Sequence, residues 1–111
     1  MAQNRDAPAY QEYAASVMAK TQYRVLSLTD RGLLYTLKLE CWVNQRMPAD
    51  PAFLARVLGL DVDEVAASLP KVMPFFERDG PDLICPELED YRAHLDSRRE
   101  KLSEAGKKGA C

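Results

Sequence analysis

The side chains with the best prospects for chemistry are two groups of carboxylates and one histidine. His94 stands between Ala93 and Leu95 in a stretch with helical spacing, so a solvated helix histidine is a better interpretation than a catalytic base or a metal ligand. The carboxylates lie at the predicted starts of two helices, where unpaired N–H groups and the helix dipole already account for them. They are Asp61, Asp63, Glu64, Glu87, Glu89 and Asp90. We therefore expect no enzymatic activity, no cofactor and no bound metal.

Cysteine and glycine patterns add no catalytic or phosphate-binding site. Cys41, Cys85 and Cys111 are widely spaced and include no CxxC pair, which argues against a disulfide framework and against a zinc site. Cys41 and Cys85 are better interpreted as small buried hydrophobic residues. The glycine–lysine run at 106–109 follows no predicted strand, so it is not a phosphate-binding loop.

Positive charge is the remaining chemistry, and it could contact nucleic acid. With 15 lysines and arginines against 17 acids, a net charge of -2 and a pI near 5.4, the chain as a whole does not attract DNA. Any DNA binding must therefore depend on local charge. The candidate DNA-binding residues are Arg56, Lys71, Arg78, Arg98, Arg99, Lys101, Lys107 and Lys108.

Length and composition predict one globular domain. A chain of 111 residues supports a single modest core, and its 47% apolar and 29% charged residues exclude disorder throughout. No apolar run approaches the length needed to cross a bilayer, and the first residues lack the apolar centre of a signal peptide. We expect a cytoplasmic protein without a membrane partner.

The element most likely to position these residues is a central helix at 27–47. Ser27 and Asp30 have the spacing of a capping box, and Thr29 offers a second N-cap register, so the helix start is signalled to within two residues. Apolar residues occupy two sides of this helix, so Leu37 and Trp42 are predicted to be more than nine-tenths buried. The middle of the run also alternates apolar and polar residues as a strand does, but its length favours a helix.

A short helix is predicted before the central one, at 10–19, and two short helices after it. Asp50 as N-cap, Pro51 at the first helical position and Gly59 as the stop define the first of the pair. The second opens at an acidic capping box formed by Asp61 and Glu64. Two short helices joined at a glycine are typical of a helix-turn-helix.

Proline and glycine punctuate the rest of the chain. Pro70 predicts a kink or break near Leu69, with a further turn at 71–73. Residues 75–78 and 83–85 flank the turn residues 79–82, which predicts a two-stranded hairpin.

A last helix is predicted to open at Pro86 and to carry an apolar seam that Arg98 interrupts. Residues 1–9 are predicted to be a flexible lead-in, 10–102 the domain and 103–111 a disordered polar tail. The candidate interaction seam consists of Leu88, Tyr91, Leu95 and Leu102.

This order of elements predicts an α+β, mainly α fold: a winged helix, with a helix-turn-helix and a two-stranded wing, an added N-terminal helix and a long C-terminal helix. Over roughly residues 10–110 the chain also resembles a family of phage and prophage proteins with an N-terminal winged-helix domain. The resemblance rests on the LSLTDRG opening of the central helix, the tryptophan near its end, the MPAD entry into the next helix, the FFERDG start of the hairpin and the trailing GKKG.

The resemblance implies a role in phage DNA replication, because members of that family are commonly encoded with replication genes. It implies DNA or replication proteins, such as a helicase or its loader, as partners. The acids Asp61 and Asp63 at the start of the second short helix argue against major-groove readout, so weak, backbone-directed DNA binding is the expectation. The alternative is a winged-helix module for protein interaction or homodimerisation, without intrinsic DNA binding.

Overall fold

The computed structural model describes the backbone of residues 8–109 and the side chains of residues 8–98. The chain is mainly helical and carries a small three-stranded antiparallel sheet, as an α+β fold does. Its elements in chain order are α1 (Ala14–Ala19), α2 (Thr21–Arg24), α3 (Leu28–Asn44), β1 (Met47–Pro48), α4 (Pro51–Leu58), α5 (Val62–Val72), a 3-10 turn (Met73–Phe75), β2 (Glu77–Asp79), β3 (Asp82–Ile84) and α6 (Pro86–Gly109).

The central helix is α3, and its start is the predicted capping box. The Asp30 N–H donates to Ser27 Oγ at 3.1 Å, and the Ser27 N–H donates to Asp30 Oδ2 at 3.3 Å. Leu37 is fully buried and Trp42 is 3% exposed, so the predicted burial of both is confirmed. The other elements pack their apolar residues around this helix. The core includes Leu33, Leu34, Leu54, Val65, Leu69, Val72, Phe76, Leu83 and Leu88.

The turn between α4 and α5 follows its predicted chemistry. Gly59 has a φ of 70°, and the Leu60 and Gly59 N–H groups donate to the carbonyl oxygens of Ala55 (2.9 Å) and Arg56 (3.3 Å). This is a Schellman motif, in which a left-handed glycine satisfies the last carbonyls of a helix. The prediction of a positive φ at Gly59 is therefore confirmed.

Pro70 does not break α5, so of the predicted kink or break the break is wrong. The helix continues through it to Val72 and then tightens into the 3-10 turn. Proline has no backbone N–H, so the carbonyl group of Ala66 lacks its usual helical donor at Pro70. Both residues are exposed, so water can replace the missing hydrogen bond. The buried Leu69 and Val72 hold the last turn against the core.

The sheet holds one strand more than the predicted hairpin. β2 and β3 pair antiparallel around Gly80 and Pro81, and β1 pairs with β3 through Met47 and Leu83. Gly80 has a φ of 62°, whereas proline cannot adopt a positive φ, so the two-residue loop fits a type II′ turn. The order β1-β3-β2 ties the end of α3 to the hairpin.

The predicted helix at 10–19 is shorter in the structure, because α1 begins only at Ala14. Tyr10 and Glu12 both contact side chains of α3. Residues two apart share a face in an extended chain but not in a helix, so these two contacts require an extended segment. At the other end, the backbone of α6 continues to Gly109, past the predicted end of order at residue 102. The disorder of residues 103–111 stays a prediction.

Candidate interaction surfaces

Exposed apolar side chains follow the outer side of α4 and the turn into α5. Phe53 is 58% exposed, Val57 50%, Leu60 45% and Val62 43%. The Asp50 carboxylate holds the first turn of α4 in place by accepting the Phe53 N–H at 3.0 Å. We call these four apolar residues the docking face.

The docking face borders two hollows. Phe53 and Val57, one helical turn apart, line a hollow of about 320 Å³ together with Arg56. Leu60 lines a second hollow of about 210 Å³ between α3 and α5, whose floor includes Gly32 and Thr36. A β-carbon added at Gly32 would meet no atom within 4 Å, so this glycine borders open space.

The charges beside the docking face are mainly negative. Asp61, Asp63 and Glu64 are exposed in and before the first turn of α5. Asp61 accepts the Glu64 N–H at 3.0 Å, which is one half of the predicted capping box. Exposed Ala66, Ala67 and Pro70 continue the outer side of α5. The start of α5 would therefore repel phosphates, and the exposed residues after it are small and apolar.

Lys71, the candidate cation of α5, is directed towards a buried acid. Its side chain is 64% exposed, and its Nζ lies 3.9 Å from Asp30 Oδ2. Asp30 is 3% exposed, and its pKa is lowered because Ser68 and Ser27 donate hydrogen bonds to it and Lys71 is near. Lys71 therefore partly neutralises an internal charge.

Two acids of the hairpin form ion pairs with Arg46, which precedes β1. Arg46 lies 2.8 Å from Asp79 and 3.2 Å from Asp82, and these hydrogen bonds raise the pKa of Arg46. The candidate Arg78 is exposed on β2, and its Nε donates to the Gly80 carbonyl oxygen at 3.2 Å. The hairpin strands carry three acids, Glu77 among them, against Arg78 and the neighbouring Arg46, so the hairpin does not present a basic tip.

The remaining candidate cations are spread over different elements. Arg56 is exposed on α4 and Arg98 on α6, so neither shares an element with Lys71 or Arg78. The other four candidates lie outside the described side chains: Arg99, Lys101, Lys107 and Lys108. Five of the 15 cations but two of the 17 acids lie from Arg98 onwards, so the end of the chain is its basic part.

The first part of the predicted interaction seam belongs to the core. Leu88 is 2% exposed, and Tyr91 and Leu95 pack against the core cluster. The Tyr91 ring lies 5.9 Å from that of Trp42. Leu102 lies outside the described side chains. The described part of the seam therefore joins α6 to α3.

Two cations that the sequence reasoning missed pack against α3, Lys38 buried and Arg92 half-buried. Lys38 is 4% exposed, and its Nζ lies 2.9 Å from Glu12 Oε2. Arg92 Nη2 donates to the carbonyl oxygens of Cys41 (3.2 Å) and Trp42 (2.9 Å) in the last turn of α3, where helix carbonyls lack partners. Its guanidinium lies 4.4 Å from the Trp42 ring centroid. The one available signal was a lysine within the most apolar stretch of the chain.

Within the described residues, no cluster of three or more metal-ligating side chains occurs, and no helix is long and apolar enough to cross a membrane. No family model, no curated protein and no solved structure matches this chain.

Proposed function

We propose that this protein is a winged-helix module that binds a protein partner through the docking face. The winged-helix assignment is supported by the order α3, β1, α4, α5, β2, β3. A helix, a short strand, two helices joined by a tight turn and a β-hairpin follow one another in that fold. β1, which pairs with the returning strand of the hairpin, adds to this support.

The observation that carries the docking proposal is the apolar docking face beside an acidic helix start. A helix that reads DNA directs polar and basic side chains into the groove, whereas α5 begins with Asp63 and Glu64 and exposes Val62. Apolar residues rimmed by charge are typical of protein-binding surfaces. The negative rim selects a partner helix with apolar anchors and flanking lysines or arginines.

By the resemblance to phage replication proteins, a helicase or its loader is the class of partner that we propose. Such a role places the domain in phage DNA replication as an adaptor. The helix-turn-helix would then provide the surface that another protein recognises.

A designed helical peptide of leucine and lysine is a suitable probe for this surface. Added to the isotopically labelled protein, it is expected to shift the amide NMR signals of α4 and the first turn of α5. The double substitution Phe53→Ser and Val57→Ser should abolish the shifts, because it removes the apolar anchors. Leu28→Ser is the matched control, since Leu28 is 86% exposed on another helix. Shifts centred elsewhere, or shifts that survive the double substitution, would overturn the proposal.

A second candidate function is weak binding to the DNA backbone. The exposure of Arg78 and the excess of cations from Arg98 onwards favour it. Sites that bind DNA tightly usually neutralise six or more phosphates, and the described cations are dispersed. This function predicts a low affinity that does not depend on sequence.

A further inference from the structure

Ahead of α1, residues 8–13 run along α3 without helix or strand structure, and we call them the arm. Two of its side chains reach α3. The Tyr10 ring lies 5.7 Å from the Trp42 ring, and both Glu12 carboxylate oxygens lie within hydrogen-bond distance of Lys38 Nζ, at 2.9 and 3.2 Å. Tyr10 and Glu12 are two residues apart, the spacing at which side chains share a face of an extended segment.

The surface of α3 beneath the arm presents Tyr35, Lys38 and Trp42, and we call it the arm site. Lys38 Nζ lies 5.2 Å from the Tyr35 ring centroid and 5.7 Å from that of Tyr10. The ammonium group is thus surrounded by two aromatic rings and a carboxylate, which is a favourable environment for a cation. The arm site offers an aromatic surface and, beside it, one positive charge.

A buried lysine at the middle of a core helix is not explained by stability alone. An apolar residue of similar volume usually stabilises such a position as well or better, because burying a charge costs solvation energy. What the charge adds is selectivity, since only a segment with a correctly placed carboxylate can cover Lys38. A buried, specifically paired charge is therefore a candidate recognition site.

We propose that the arm site is a binding site for an extended segment of a partner protein that carries an aromatic residue and, two residues later, a carboxylate. The arm occupies this site in its own chain and so acts as a built-in competitor. A partner segment with the same two groups displaces it and gains the contacts with Trp42 and Lys38. The proposal is independent of the docking face, which is formed by α4 and α5.

Trp42 is the only tryptophan, so its fluorescence reports occupancy of the arm site directly. The probe is a synthetic peptide with the sequence of residues 7–14, APAYQEYA. The receiver is the full chain with Tyr10→Ser and Glu12→Gln, whose own arm lacks both anchoring groups. We expect a saturable change in Trp42 fluorescence on titration. Peptides with the single change Tyr10→Ser or Glu12→Gln should bind about tenfold more weakly, because each lacks one anchor.

The wild-type protein is the second receiver and tests the competition. Its arm should lower the apparent affinity for the same peptide at least about tenfold relative to the double variant. Circular dichroism and thermal melting establish that the variant is folded. If it is not, the single variant Glu12→Gln replaces it, with the same expected order of peptide affinities.

Absence of peptide binding by a folded receiver would overturn the proposal, and so would equal affinity for the peptide carrying Glu12→Gln. A wild-type dimer that becomes monomeric on Glu12→Gln, together with no peptide binding, would show that the arm exchanges between two copies of this chain. That result would also overturn the partner-segment proposal. None of these outcomes depends on the leucine–lysine probe, so failure here is distinguishable from failure of the docking face.

Discussion

Asp30 and Lys38 are both buried on α3, and they are stabilised in different ways. Asp30 lies in the first turn, where Ser27 and Ser68 donate hydrogen bonds to it and the helix N-terminus favours negative charge. Lys38 lies in the middle of the helix, where no backbone group can pair with it. Its partner, Glu12, is 26 residues away in sequence and lies in the arm.

The charge of Asp30 therefore stabilises the helix itself, whereas the charge of Lys38 is stable only because a residue outside the helix pairs with it. Removing Asp30 takes away part of the helix cap, whereas removing Glu12 leaves a cation without its counter-charge in an apolar setting. Desolvation acts to lower the pKa of Lys38, but the hydrogen bonds and charge of Glu12 outweigh it and raise that pKa. The contact with Glu12 therefore favours the charged form of Lys38.

The largest loss of stability is expected on substitution of Leu37, next to Lys38. It is the reference against which the substitutions that affect the two charges are compared. Leu37→Ala should lower the free energy of unfolding by about 2 to 5 kcal/mol, because it removes a fully buried side chain and leaves a cavity. Leu39→Ala is the matched control, since Leu39 is 57% exposed on the same helix and should change stability little. Chemical denaturation measures both. An unchanged midpoint for Leu37→Ala would contradict the central position of α3.

Glu12→Gln is expected to cost about 1 to 3 kcal/mol, less than a fully buried pair would, because the Glu12 side chain is 29% exposed. Adding Lys38→Met should recover most of this loss, since the unpaired cation is then replaced by an apolar side chain of similar length. Glu77→Gln, the same change at an exposed site on β2, serves as the control. If the double variant is as unstable as Glu12→Gln alone, the unpaired charge of Lys38 is not the cause of the lost stability.

These two charges also show where sequence reasoning succeeds. Signals that act within four residues were readable: the capping box at Ser27, the N-cap Asp50 and the Gly59 stop. Contacts between distant residues were not, because no local pattern encodes a partner. The Lys38–Glu12 pair is one such contact.

The missed strand β1 and the missed role of Arg92 have the same cause. β1 spans two residues, too few for an alternating pattern, and it exists because Met47 meets Leu83 on β3. Arg92 reaches carbonyl groups 50 and 51 residues away in sequence. The docking face was missed for another reason. Local spacing does not indicate which apolar residues of a short helix stay uncovered in the folded protein.

Asp30 should contribute less to the free energy of unfolding than the Lys38–Glu12 pair, and its contribution should depend on pH. Its pKa is lower in the folded protein than its ordinary value of 3.8, so its contribution is fully present above that value. The contribution is lost as the pH falls below that value and through the lowered pKa of the folded protein. At neutral pH, Asp30→Asn should cost about 1 to 2 kcal/mol, less than the full loss of hydrogen bonds to a charged group, because the amide oxygen of asparagine can still accept. Stability measured across the acidic range should show the difference from wild type shrinking towards low pH.

Asp63→Asn is the control for this prediction, because Asp63 is exposed in the first turn of α5. Its stability should stay close to that of the wild type at every pH. A difference for Asp30→Asn that does not change with pH would show that the shape of the side chain, and not its charge, stabilises the start of α3.

Exposed charges complete the comparison, and we expect their effects to be the smallest. Unlike Lys38, Arg78 and Arg98 are exposed, so their charges are accessible to the phosphates of a DNA backbone. We expect DNA binding only at low salt, with a log–log salt dependence equivalent to about two to four released counterions. Fluorescence anisotropy with random duplexes across a salt series measures it. Arg78→Glu, or Arg98→Glu together with Arg99→Glu, should abolish this binding, whereas Asp63→Asn should leave it unchanged or strengthen it. Tight binding that Asp63→Asn destroys would instead show that α5 reads bases, and the docking face would then lose its main support.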